Sequence, residues 1–337
     1  MAKMKIAVVR KAGADFAIEE REIPQPPAGH VRIKVQACGI CFSDEITKDG
    51  LLPGITFPRV PGHEVAGVVD EIGAGVTVWT KGQRAGVGWN AGHDGTCDSC
   101  RRGDFALCVN GKISGLSYDG GYAEYMIAPA EALARIPEAL SPVEAAPLLC
   151  AGITTFNALR NSGARPGDLV AVFGIGGLGH LGLQFANKFG YQVAAISRGT
   201  ENTELAKKLG AHIYIDSSAT DAAAELAKRG GARVILATVP SSKAMSSIIG
   251  GLGPNGKLLV VGADMGNIEA STPKILFARN SIQGWNSGSS IDSEDTLRFA
   301  EYSGVRPMIE TFPLEKVNEA WARMTSGKAQ YRVVLTM

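Results

Sequence analysis

Asp168-Leu-Val-Ala-Val-Phe173 runs without a break into Gly174-Ile-Gly176-Gly177-Leu178-Gly179, and the stretch from Gly179 to Phe189 stops at Gly190. An apolar run of strand length, a glycine-rich turn and a glycine-terminated amphipathic stretch predict strand, loop and helix. In such a loop the first glycine permits the tight turn and the second lets a pyrophosphate approach the backbone. The third lets the helix pack on the strand. The helix N-terminus then faces the phosphates. Outward from this unit, Gln192-Val-Ala-Ala-Ile196 reads as the next strand and Glu201 to Leu209 as a helix closed by Gly210. His212-Ile-Tyr-Ile215, Arg233-Val-Ile-Leu-Ala237 and Lys257-Leu-Leu-Val-Val261 read as three more strands. Strands alternating with helices across residues 165 to 284 predict an α/β unit, a doubly wound parallel sheet of Rossmann type.

A dinucleotide loop of this kind expects a carboxylate about 20 residues on, where it accepts the ribose hydroxyls of NAD. That position is Ser197, followed by Arg198. Serine removes the charge that would repel a 2′-phosphate, and arginine can pair with one. Cofactor binding is therefore expected at Gly174, Gly176, Gly177, Leu178, Gly179, Ser197 and Arg198, with NADP(H) favoured over NAD(H). Glu201 and Glu204 are near enough to reach a ribose and oppose that preference.

Residues 1 to about 150 have another texture, rich in glycine, proline and short β-type runs such as Val31-Arg-Ile-Lys-Val35 and Glu64-Val-Ala-Gly-Val-Val-Asp-Glu-Ile72. They predict a turn-rich β domain. Pro142-Val-Glu-Ala-Ala-Pro-Leu-Leu-Cys150 reads as a helical entry into the next unit. The tail carries helices over Ser293 to Ser303 and Leu314 to Ser326, then a strand, Tyr331-Arg-Val-Val-Leu335. That strand has no place in the parallel sheet and is expected to return to the first domain. The expected division is 1–150 plus 285–337 against 151–284.

The chain has only six cysteines, and five fall into a ligand pattern. Cys41, Gly62-His63-Glu64 and Cys150 form one set; Asp94-Gly-Thr-Cys97-Asp-Ser-Cys100 with Cys108 forms another. Thiolates, an imidazole and a carboxylate are what zinc takes. At 337 residues the chain is long enough for two cores. The net charge of +1 offers no basic field for nucleic acid or an anionic membrane. The most apolar window, Leu169 to Ala186, is broken by glycines, His180 and Gln184, so no membrane span is expected. Cys-x-x-Cys spacing without a secretory signal favours reduced metal ligands and a cytoplasmic location.

The run Ala37-Cys38-Gly-Ile-Cys41-Phe42-Ser43-Asp44, then Pro61-Gly-His63-Glu64, then Cys150, resembles the zinc-dependent alcohol dehydrogenases of the medium-chain dehydrogenase/reductase family. The cysteine cluster, the glycine loop and a C-terminal Tyr-Arg-Val-Val extend the resemblance over nearly the whole chain. It implies that the β domain is GroES-like and catalytic. It implies a catalytic zinc on Cys41, His63 and Cys150, with Glu64 as a neighbouring or exchangeable ligand. Three protein ligands leave one position open for water or an alcohol oxygen. The implied reaction is reversible hydride transfer between a primary or secondary alcohol and a nicotinamide cofactor, with Ser43 accepting the proton. Thr154 is placed among the cofactor-binding residues, and Arg332 is expected on the cofactor phosphates. Trp89 and Trp285 are candidates for an apolar pocket wall, which favours hydrophobic or aromatic alcohols and aldehydes.

The family's second zinc is held by four cysteines; here Cys97, Cys100 and Cys108 are in register but the first position is Asp94. An aspartate oxygen is a legitimate zinc ligand, so two zincs per chain are expected, with His93 or an empty lobe as alternatives. Phe42 and Ile46 stand where members often have a basic residue and a relay histidine, so the proton is expected to leave from Ser43 through a ribose hydroxyl and water. Asp44 is expected beneath the site, and Cys38 as a small buried residue. Other readings are a polyol or amino-alcohol dehydrogenase, a zinc-free quinone or enone reductase, and a non-catalytic binding protein. A homotetramer, or else a dimer, is implied by the resemblance, with the strand after Lys257 and the segment through Ala278 at a two-fold interface.

Overall fold

In a computed structural model, residues 154–286 build a six-stranded, wholly parallel sheet. The structure describes residues 2–337. The strands are Leu169–Phe173, Gln192–Ser197, Ile213–Asp216, Ala232–Ala237, Leu252–Val260 and Ser281–Gly284. Numbered in chain order they lie 3-2-1-4-5-6 across the sheet, the doubly wound order of dinucleotide-binding folds. Leu169–Phe173 is central and buried along its whole length, which explains why it reads as a continuous apolar run rather than an alternating one. Gly179–Lys188 is the helix that follows the loop. Short helices Thr203–Lys208, Ala222–Ala227, Ser242–Ile248 and Thr272–Ala278 complete the alternation. Ser281–Gly284, a short edge strand absent from the sequence reading, is mostly exposed.

Residues 1–153 and 287–337 form the other unit. The unit boundaries fall at 153/154 and 286/287, two to three residues beyond the expected 150/151 and 284/285. Its main sheet runs in the order Ile309–Pro313, Arg332–Thr336, His30–Ile40, Val65–Ile72, Arg84–Val87, Leu133–Arg135, with Tyr125–Pro129 also on the His30 strand. Lys3–Val8 and Ala17–Glu22 form a separate antiparallel pair. The C-terminal strand lies antiparallel to His30–Ile40 and parallel to Ile309–Pro313. Val333, Val334 and Leu335 are fully buried, so a piece of chain some 300 residues from the His30 strand completes the core of its sheet. No helix among the described residues is long and apolar enough to cross a membrane.

The helical entry at Pro142 is shorter than expected. Ser141 and Glu144 close a reciprocal capping box at its start, but the α-helix ends at Pro147. Proline has no N–H for the carbonyl four residues back, and the chain widens into a π turn over Leu148–Gly152. Cys150 sits in that turn, the kind of irregularity often found at functional sites.

The C-terminal strand makes a direct prediction. Leu335→Ala removes a fully buried side chain from the middle of the sheet and should cost about 2–5 kcal/mol. A chemical unfolding curve should show an earlier transition; an unchanged curve would contradict this placement of the strand.

Candidate functional site

Three strand ends meet at one edge of the large sheet. His30–Ile40 finishes immediately before Cys41. Val65–Ile72 runs antiparallel to it with Cys38 opposite Val65, which carries His63 and Glu64 to the same edge. The last strand pairs Val333 with Ile40, so Arg332 starts there too. The π turn brings Cys150 to this point. The ligand atoms of Cys41, His63, Glu64 and Cys150 all lie within 4.8 Å of one another. Bonds of about 2.0–2.3 Å around a tetrahedral ion would set ligand atoms roughly 3.5 Å apart, so the cluster has the scale of a single ion.

Asp44 organises the cluster. It is 2% exposed and accepts four hydrogen bonds. Oδ1 takes His63 Nδ1–H at 2.8 Å and the Gly62 N–H at 3.3 Å; Oδ2 takes the Tyr122 hydroxyl at 2.8 Å and the Cys41 N–H at 3.0 Å. Because the carboxylate only accepts, His63 carries a proton on Nδ1, and Nε2 is the ring nitrogen left to face a cation. Nε2 is buried with no hydrogen-bond partner, as is Glu64 Oε2. A histidine held by a carboxylate, its other nitrogen aimed among thiols, is a metal-ligand arrangement. The thiols agree with it. A hydrogen bond from Cys150 draws Cys41 well below the ordinary thiol value against its burial, and the same bond, with burial, raises Cys150. Two adjacent thiols, Cys41 buried and Cys150 partly so, do not both ionise unaided, and a divalent cation can replace the proton between them.

Glu64 is fully buried, and burial raises its pKa to about 7 against the pull of Arg332. Arg332, anticipated on cofactor phosphates, is 5% exposed; its guanidinium donates to Glu64 Oε1 and, at 3.2 Å, to the Ile40 carbonyl. Burying Glu64 requires that counter-charge. Trp89 rests edge-on against the His63 ring, centroids 4.9 Å apart. Ser43 is half-buried and makes no capping bond to the helix Asp44–Lys48 that it opens. Cys38 is fully buried. Phe42 is exposed.

A second cluster gathers Asp94, Cys97, Cys100 and Cys108, whose ligand atoms also lie within 4.8 Å of one another. The Cys97 and Cys108 sulfurs are 3.9 Å apart. The Asp94 carboxylate accepts the N–H groups of Cys97 at 3.0 Å and Thr96 at 2.8 Å on Oδ1, and Asn110 Nδ2 at 2.6 Å on Oδ2. These bonds hold its pKa far below the usual carboxylate range. Burial pushes the Cys100 thiol up to about 12. His93, the alternative ligand, is not among the four gathered residues and stacks on Phe105 with ring centroids 4.3 Å apart.

In residues 154–286 the loop Gly174–Gly179 fits a dinucleotide. A side chain at Gly179 would strike the Gly174 carbonyl, and one at Gly174, where φ is +101°, would strike Thr238 and Val239. A Cβ at Gly176 would meet nothing within 4 Å, leaving open the side on which a phosphate approaches. Gly177 completes the turn, and Leu178 stands at the helix N-cap without a capping side chain. The turn after Ser197 is held from the neighbouring strand: Asp216 Oδ1 accepts the Gly199 N–H at 2.8 Å and Tyr214 donates its hydroxyl to the Gly199 carbonyl at 2.7 Å. Arg198 is exposed. Glu204 pairs with Lys207 at 2.9 Å, while the Glu201 carboxylate lies against Gly199. Thr154 is buried in helix Ile153–Arg160. Trp285 is half-buried after the edge strand, its backbone N–H on the Val260 carbonyl at 3.0 Å.

The sequence reading overlooked Tyr122 and Asn110. Tyr122 reaches Asp44 across 78 residues of sequence, and no local pattern announces it. Asn110 follows Cys108 closely, and an amide beside a ligand run is the only hint it leaves.

Comparison with known proteins agrees with this geometry. Residues 27–138 match the family model described as the alcohol dehydrogenase GroES-like domain, and residues 177–302 that of the zinc-binding dehydrogenases. The chain is 47% identical to the alcohol dehydrogenase patD of Penicillium expansum, over 99% of this chain and 97% of that one. It is 39% identical to an alcohol dehydrogenase of Geobacillus stearothermophilus, over 99% of both. Among solved structures, a cinnamyl alcohol dehydrogenase from Sorghum bicolor superposes with a TM-score of 0.87 at 30% identity, over 99% of this chain and 98% of that one.

The glycine loop yields a paired prediction. Gly179→Ala should destabilise the fold by about 1–3 kcal/mol, because the new methyl meets backbone. Gly176→Ala should leave the thermal midpoint unchanged but reduce the stabilisation by added dinucleotide, which is about 2.7 kcal/mol at one hundred times Kd for an intact site. Thermal unfolding with and without cofactor reads both; equal behaviour of the two variants would contradict the assigned roles.

Proposed function

This chain belongs to the zinc-type medium-chain alcohol dehydrogenases, and we propose that within the family it is a zinc-dependent, NADP(H)-preferring enzyme acting on hydrophobic or aromatic alcohols and their aldehydes. Alcohol dehydrogenase or aldehyde reductase activity, an oxidoreductase reaction on a small alcohol, comes with the family. The observation that carries the zinc reading is the buried His63 Nε2, without a hydrogen-bond partner and gathered with Cys41 and Cys150. In this reading Cys41, His63 and Cys150 hold the catalytic ion, and Asp94, Cys97, Cys100 and Cys108 a structural one.

When bound at Cys41, His63 and Cys150, zinc would supply the Lewis acidity that makes an alcohol proton labile, and a nicotinamide cofactor on the Gly174–Gly179 loop would supply the redox chemistry. The chain's residues do the rest. Asp44 fixes the His63 tautomer and orientation. Ser43 accepts the substrate proton and passes it toward solvent. Arg332 offsets the charge of Glu64, so that the thiolates and the ion face no third uncompensated anion. Trp89, edge-on against the His63 ring, covers it and offers an apolar wall beside the cluster. The Sorghum bicolor neighbour is named for an aromatic alcohol, in keeping with such a wall.

Ser197 and exposed Arg198 support NADP(H), and Glu204, one of the two carboxylates that could oppose it, is paired with Lys207 at 2.9 Å. A charge-assisted bond to a 2′-phosphate contributes about 1.5–3 kcal/mol. The exposed Leu276 and Phe277 beside the edge strand Ser281–Gly284 support association with a second copy, in a tetramer or a dimer. Reduced cysteine ligands support a cytoplasmic location.

Purified protein should carry two zinc ions per chain, and Cys41→Ala one, with alcohol oxidation abolished; a fully active Cys41→Ala protein would refute the assignment. The cofactor preference is read from kcat/KM with NADP and NAD on one aromatic alcohol. NADP should win by roughly ten- to a hundred-fold, and Arg198→Ala should weaken NADP while sparing NAD. Equal losses with both cofactors would mean that Arg198 only holds the adenine.

A further inference from the structure

We propose that Tyr122 is a positioning residue of the metal centre: its hydroxyl holds the Asp44 carboxylate in the orientation that presents His63 to the ion. The proposal rests on the reading of Cys41, His63 and Cys150 as a metal site. Tyr122 is fully buried, and a buried phenol needs a partner. It finds one not in the backbone but in Asp44 Oδ2, at 2.8 Å.

The tyrosine is itself held on several sides. Its backbone N–H bonds the Pro61 carbonyl at 3.0 Å, its carbonyl accepts the Ala7 N–H at 2.8 Å, and its ring packs on Phe16 with centroids 5.8 Å apart. The preceding glycines continue the brace: Gly120 N–H bonds the Val60 carbonyl at 2.7 Å and Gly121 N–H the Gly62 carbonyl at 3.0 Å. Residues 120–122 therefore clasp residues 60–62, the segment that ends at His63. The fit is close. Gly62 has φ +107°, and a Cβ there would lie 2.6 Å from the Tyr122 ring.

The division of labour on Asp44 makes the hydroxyl matter. Oδ1 serves His63 and the Gly62 N–H, and Oδ2 serves Tyr122 and the Cys41 N–H. Each oxygen thus has two donors, and the plane of the carboxylate is set by all four. Without the phenol, Oδ2 keeps only the Cys41 N–H. The carboxylate can then rock about its last torsion, and the His63 ring, bonded to Oδ1, moves with it. Groups bonded directly to metal ligands typically tune metal affinity 10–100-fold; one bond further out, an effect of about 3–10-fold follows.

The test compares Tyr122→Phe with Tyr118→Phe in the full chain. Tyr118 is a control because its hydroxyl bonds the Ala91 carbonyl at 2.9 Å, away from Asp44. Both proteins are loaded with cobalt(II) in place of zinc, and the cobalt absorption that Cys41→Ala abolishes reports the catalytic ligand set. Tyr122→Phe should shift that absorption and release its cobalt to a chelator about 3–10-fold faster than wild type. Tyr118→Phe should lower the thermal midpoint without moving either readout. If Tyr122→Phe behaves like Tyr118→Phe, losing midpoint but keeping spectrum and release rate, the tyrosine is only packing and the proposal falls. If wild type shows no absorption sensitive to Cys41→Ala, the metal reading itself fails, a result distinct from the first.

Discussion

A buried carboxylate must be satisfied or neutralised, and the satisfaction of Asp44 shapes the centre of this protein. Its four donors come from three separate stretches of chain: Cys41 beside it, Gly62 and His63 about 20 residues on, and Tyr122 far beyond. Meeting that demand draws the end of the His30 strand and the approach to the Val65 strand to one point. It also selects the imidazole tautomer. The geometry of the ligand cluster follows from one polar group that had to be paired.

Charge governs the layer around it. Two thiols, an imidazole and Glu64 sit together in a nearly dry space, with Arg332 as the buried counter-ion. The guanidinium cannot lose its proton, so Glu64 has a permanent partner for Oε1 while Oε2 stays without one. Such an arrangement is weak as a source of stability, and its value lies in holding donor atoms that a cation can use. The outer lobe gathers a different donor set: Asp94 stands among Cys97, Cys100 and Cys108, oriented by two backbone N–H groups and Asn110.

What could be read from the sequence was whatever chemistry had written locally. Leu169–Phe173 is apolar because it is buried on both faces; Gly174 and Gly179 are glycines because side chains there would strike Thr238 and Val239 or the Gly174 carbonyl, and Gly176 because one there would crowd a phosphate. The ligand residues stood out because thiols are rare in the chain. What escaped was set by distance. Nothing near Arg332 says that its partner is Glu64, and nothing near Tyr122 says that its hydroxyl belongs to Asp44. The Ile309 strand takes its place only by pairing with the chain's end. The π turn at Cys150 had a local cause in Pro147, but a proline near a helix end usually signals a stop, not a widened turn that carries a ligand.

The most direct test of this account is diffraction from crystals of the purified protein with data collected on both sides of the zinc absorption edge. The account predicts an anomalous peak bonded to Cys41 Sγ, His63 Nε2 and Cys150 Sγ at about 2.0–2.3 Å, with His63 Nδ1 still on Asp44. Well-ordered side chains at this cluster with no peak between them, in crystals whose protein retains zinc elsewhere, would contradict it.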